Sequence, residues 1–193
     1  MWPGCISNGE CIALIKKNAV KATRDDTFSE CLYFSPDVIE FSMGALNAGF
    51  SIVCDTAAIK SSLHRMPMTK LGIMAHCFAD DDDILRQSGK DKSRRAVLAV
   101  ERAATLNKPL VFVIGNMPET LTRINEMTVS RMLFQKLIIA APVGYSEAVK
   151  SKEMLVKLGI PSIISLGMKG GSAAAASICN TLLSLAAPSR LNG

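Results

Sequence analysis

Histidine is scarce in this chain: His64 and His76 are the two among 193 residues. Aromatic residues make up 5%, which leaves little from which to build a base-stacking platform for single-stranded nucleic acid. Strong net charge is missing as well. The sum is +5 and dispersed, so no basic stripe marks a nucleic-acid binder, while an acidic small molecule suits the balance. No apolar run approaches the ~20 residues of a membrane-spanning helix. Met1-Trp2-Pro3-Gly4 lacks the basic and apolar regions of a signal peptide. The expectation is a cytoplasmic protein with no membrane or nucleic-acid partner. The six cysteines (Cys5, Cys11, Cys31, Cys54, Cys77 and Cys179) show no paired metal-ligand spacing, and read as thiols, several of them in the core. No metal site is expected. Asp80-Asp81-Asp82-Asp83 reads as a solvated loop or helix start, because nothing nearby completes a cation shell.

What is present is a repeated pattern of short apolar runs and helical segments. Hydrophobic residues reach 49%, and a chain this long can bury roughly 70% of its unfolded surface as one domain, 1–193. Glu10 to Val20 carries a helical apolar stripe. Ser35-Pro36-Asp37 has the composition of a helix start, with Ser35 at the cap, and Gly49 is placed to stop that helix after Asn47. Phe50–Cys54, Leu71–Ala75, Leu110–Ile114, Leu137–Ala141 and Ile160–Leu166 read as buried strands. Helices are expected over 56–63, 92–106, 119–127, 145–158 and 172–185. Strand followed by helix, five times from Phe50 onward, predicts an α/β protein: a single domain with a mostly parallel sheet covered by helices on both faces.

In such sheets ligands bind beyond the carboxyl ends of the strands. Those ends are Asp55-Thr56, Gly115-Asn116, Pro142-Val143-Gly144 and Gly167 to Ser172. The last is the most distinctive. A strand runs into Gly167-Met168-Lys169-Gly170-Gly171, and an alanine-rich helix follows with Ser172 as its expected N-cap. A helix N-terminus presents free amides and a positive dipole end, and Lys169 adds a cation. The glycine spacing matches neither the Walker loop nor the dinucleotide fingerprint.

Taken in register, these segments resemble the precorrin-8X methylmutase family of cobalamin biosynthesis. The pieces are Phe34-Ser35-Pro36, Ile52-Val53-Cys54-Asp55, Ile114-Gly115-Asn116-Met117-Pro118, Ala141-Pro142-Val143-Gly144-Tyr145, Ser151-Lys152-Glu153 and Gly167-Met168-Lys169-Gly170-Gly171-Ser172. The resemblance covers residues 18 to 185. It implies a homodimeric isomerase without a cofactor, which moves a methyl group from C-11 to C-12 of a polycarboxylated tetrapyrrole to give hydrogenobyrinate or cobyrinate. It also implies that residues 1–33, a helix and loop, are shortened relative to the family.

The resemblance assigns site residues too. The family's His-Ala-Thr-Gly-Asp motif aligns with Lys21-Ala22-Thr23-Arg24-Asp25, so Lys21 stands where the catalytic histidine is expected and Arg24 where a glycine is. Lysine starts near ~10.4 and histidine near ~6.5, so lysine is the more reluctant proton donor. Ser93-Arg94-Arg95-Ala96 aligns with a segment whose arginine contacts substrate, which gives Arg94 that role. Asp55 and Thr56 are expected to contact substrate, and the amides around Gly115-Asn116 and Gly170-Gly171-Ser172, with Lys169 and Arg94, to hold its carboxylates. Met168 and Glu119 depart from the family pattern. The missing histidine keeps an alternative open: a corrinoid-binding relative with impaired catalysis, acting as carrier or sensor.

Overall fold

The computed structural model describes residues 7–187; Cys5 and the first four residues lie outside them. Six strands form one sheet: β1 (Leu32–Phe34), β2 (Ser51–Cys54), β3 (Ala75–His76), β4 (Leu110–Ile114), β5 (Gln135–Ala140) and β6 (Ser162–Ser165). Their order is β1-β6-β5-β4-β2-β3, and all pairs are parallel except β1 with β6. Nine α-helices accompany them among the described residues: α1 (Asn8–Thr23), α2 (Val38–Asn47), α3 (Ala57–Ser62), α4 (Arg65–Leu71), α5 (Asp82–Ser88), α6 (Lys92–Ala104), α7 (Pro118–Val129), α8 (Ser146–Leu158) and α9 (Ser172–Ala186).

The period-2 alternation of strand side chains splits the core into two layers. On β4, Val111 and Val113 pack with Ile52, Ile139 and Ile163 against α1, α2, α3 and α9. Leu110, Phe112 and Ile114 point the other way, with Ile138 and Ile164, against α6, α7 and α8. All five β4 side chains are buried, which explains the uninterrupted apolar run. Fully burying each such side chain is worth about 1.5–3 kcal/mol.

The connections decide where a ligand can sit. The chain steps outward from β2 to β3, crosses back over β2 to β4, and continues to β5 and β6. The direction of winding therefore reverses between β2 and β4. At such a switch point adjacent loops lead to opposite faces and leave a crevice at the strands' carboxyl ends.

Three expectations needed correction. A strand precedes Phe50: β1 pairs antiparallel with β6, and three residues are too short for periodicity to reveal. Ser35 does not cap α2. Its hydroxyl accepts the Ser162 amide at 2.9 Å while its own amide donates to the Ser162 carbonyl at 3.0 Å, so it extends that edge pairing. Asp37, in a left-handed conformation at φ 55°, occupies the cap position. The strand expected over 71–75 is the two-residue β3; α4 runs to Leu71, and Gly72 ends it at φ 66°.

Candidate functional site

The crevice floor is built around Asp55, which directly follows β2 and is 3% exposed. Its Oδ2 accepts three backbone amides of the loop after β4: Gly115 at 3.1 Å, Asn116 at 2.7 Å and Met117 at 2.9 Å. Burial pushes the Asp55 carboxyl above the ordinary carboxylate range, and the three amides pull the other way. The Gly115 and Asn116 amides were expected to receive substrate carboxylates. The protein's own carboxylate already occupies them, so Asp55 shapes the crevice from beneath, and the Asn116 side chain, exposed, is what that loop offers. Thr56 next door caps α3 by accepting the Ile59 amide at 3.3 Å.

The glycine loop after β6 docks on its neighbours through its backbone. The Gly171 amide donates to Ala141 at 2.7 Å, and the Gly144 amide donates to Met168 at 3.2 Å. A β-carbon on Gly170 would overlap the Ala141 carbonyl, and one on Gly115 would lie 2.8 Å from the Ser172 α-carbon. These glycines serve close approach between loops. Gly171, at φ 123°, is the residue preceding α9, and Ser172 is its first helical residue and makes no side-chain cap. The amides of Ser172, Ala173 and Ala174 are therefore left without intrahelical acceptors, as the anion-site reading of this stretch requires.

Two lysines govern the loop. Lys169 is turned back to the segment after α1, where its ammonium lies 2.7 Å from Asp25 and also meets the Thr27 hydroxyl. Lys169 and Thr27 hold the Asp25 carboxyl below its ordinary value. The expected loop cation is thus partly neutralised by a carboxylate of the chain itself. Lys152 on α8 is wholly buried, and its ammonium donates to the carbonyls of Gly167 and Lys169, each at 2.9 Å. The Ser165 hydroxyl donates to the same Lys169 carbonyl at 2.9 Å. Burial lowers the Lys152 pKa to about 8. The sequence reading assigned Lys152 no role at the site, yet a signal was there. Ala148, Ser151, Lys152 and Leu155 fall at i, i+3, i+4 and i+7 and form the buried stripe of α8.

Lys21 lies in the last turn of α1, exposed, on the wall of a groove of ≈660 Å³. The opposite wall carries Ser62 and His64 from the α3–α4 corner, and α9 forms the floor with Ser177, Asn180 and Thr181. Asn18 on α1 donates to the Thr181 hydroxyl at 3.0 Å. Asn180 clamps the corner, accepting the His64 amide and donating to the Ser62 carbonyl, both at 2.8 Å. Lys21 and His64 thus share one cavity although 43 residues separate them in sequence. Arg24 closes α1 at φ 54°. A left-handed C-cap is where glycine fits best, which accounts physically for the glycine expected there.

Arg94 is exposed in the first turn of α6, at the sheet's carboxyl end, with its amide capped by Asp91 at 3.0 Å. That carboxylate offsets the unfavourable cation at a helix start. Glu119 accepts the Ser93 hydroxyl at 3.2 Å. Within the acidic run, Asp81 precedes α5, and Asp83 pairs with Arg102. His76 stacks on Phe78 at 5.2 Å, with Nε2 buried and unpartnered, and burial lowers its pKa.

The sequence and the fold match known proteins. A family model described as precorrin-8X methylmutase matches residues 10–185. The cobalt-precorrin-8 methylmutase of Leptospira interrogans is 31% identical over 179 residues, 89% of this chain and 81% of that protein. The one from Salmonella typhimurium is 33% identical over 172 residues, 88% of this chain and 79% of that protein. The precorrin-8X methyl mutase structure from Thermus thermophilus superposes with a TM-score of 0.84 at 23% identity, covering 95% of this chain and 90% of that one. The chain belongs to the precorrin-8X methylmutase family, isomerases of cobalamin biosynthesis.

Proposed function

We propose that this chain catalyses the methyl migration for which its relatives are named, on a precorrin-8 type macrocycle with or without cobalt. The C-11 to methyl bond breaks and a C-12 to methyl bond forms, giving hydrogenobyrinate or its cobalt form. The observation that carries the reading is the ≈660 Å³ groove along α9, with Lys21 on its wall, beside the docked glycine loop. Ligand pockets commonly fall near that size. A polycarboxylated ring suits the surroundings: free amides open α9, while Lys21 and Arg24 at the end of α1 supply exposed positive charge.

The same reading takes the active form to be a cytoplasmic homodimer. Exposed Val129, Met132 and Phe134, at the bend between α7 and β5, give a second copy apolar surface to bury. A sedimenting species of one chain's mass at micromolar concentration would contradict the dimer.

The test is an optical titration of purified protein with hydrogenobyrinate, followed by product formation from precorrin-8X, with Lys21→His alongside. Binding and turnover by the natural chain support the reading. Binding without turnover, with activity gained by Lys21→His, makes the chain a corrinoid carrier or sensor. No binding by either leaves fold as the shared property.

A further inference from the structure

The groove holds two titratable side chains, Lys21 on α1 and His64 at the α3–α4 corner. The methyl migration gains and loses no atoms. A side chain that lends the ring a proton while one carbon–carbon bond breaks and the other forms must regain it before release. The group that lends and regains it works best when its pKa lies near the working pH, and among side chains that describes imidazole. Of the two histidines, His76 has a buried Nε2 and is stacked on Phe78 at the sheet edge, outside the groove. His64 is exposed to the groove, and its backbone is pinned to α9 by Asn180 at 2.8 Å. The clamp matters because a proton donor must be held in place against the substrate.

Resting on the methylmutase reading above, we propose that His64 is the proton donor of this enzyme, acting from the wall opposite Lys21, while Lys21 anchors a substrate carboxylate. The groove floor supports that division. Lys21 comes from α1 and His64 from the α3–α4 corner, two elements that pack separately on α9, so a flat macrocycle in the groove can meet both. The charged groups around His64 are Lys21 across the groove and Lys60 and Arg65 on its own corner; α9 contributes no charge.

The test compares the natural chain with His64→Gln, Lys21→Ala and the double variant Lys21→His, His64→Gln. Turnover of precorrin-8X and titration with hydrogenobyrinate are the readouts. Glutamine keeps hydrogen-bonding capacity but is not an acid. His64→Gln is expected to lower kcat on the order of 10²-fold with hydrogenobyrinate affinity unchanged, which also reports an intact fold. Lys21→Ala is expected to raise KM and spare kcat. The double variant should regain activity. Natural turnover that His64→Gln leaves intact overturns the proposal while the methylmutase reading stands. Binding without turnover removes the role from His64, and failure of the natural chain to bind overturns the underlying reading.

Discussion

Asp55 and Lys152 are two buried charges without a salt-bridge partner among the described residues, and backbone dipoles solvate both. Removing either strands its partners. Asp55→Ala leaves three amides without their acceptor, and each unsatisfied buried group costs roughly 1–3 kcal/mol. A loss of at least ~3 kcal/mol in urea unfolding is expected; an unchanged midpoint would mean that water replaces the carboxylate. Lys152 gives a pH signature. Its folded pKa of about 8 lies below the ~10.4 of an unfolded lysine. Between those values the unfolded chain holds a proton that the folded chain has released, so stability from this group rises with pH. Relative to Lys152→Met, the natural protein should gain about 1.5 kcal/mol between pH 8 and 9.5. A difference independent of pH would show that the ammonium remains charged throughout.

Among elements, the carboxyl-end loops act as one piece. The loop after β6 rests on the loop after β5 through Gly171 and Gly144, and Gly115 lets the loop after β4 abut the start of α9. Gly170→Ala should break that docking, because the obstructing atom is backbone and cannot swing aside. A cost of about 2 kcal/mol in stability is expected, with at least a tenfold fall in hydrogenobyrinate affinity. Unchanged affinity would separate the loop from the substrate. The elements themselves were unevenly legible. β4, α8 and α9 stand out through unbroken apolar runs, helical periodicity and flanking glycines. β1 and β3, of three and two residues, are defined by their neighbours in the sheet and carry little local signal.

At the scale of the whole molecule, the packing of α1 and of the α3–α4 corner along α9 places sequence-distant lysine and histidine positions in one groove. Ligand bound only by the folded state stabilises it by mass action. Hydrogenobyrinate at a hundred times its Kd should therefore add ~2.7 kcal/mol and raise Tm by roughly 5–10 °C. A Tm insensitive to the ligand would count against a corrinoid site anywhere on the chain.

The sequence by itself determined the α/β alternation, the parallel character of the sheet and the loops that crowd its carboxyl end. Those follow from local periodicity, turn residues and the burial that each segment demands. The tertiary structure alone decided how the loop charges are spent. Asp55 consumes the amides that looked free, Asp25 draws Lys169 aside, and Lys152 holds the glycine loop from below. It also decided that His64 and Lys21 line one groove. Hydrogen-bond partners and shared cavities depend on which distant segments meet, and composition and spacing within a segment carry no record of that.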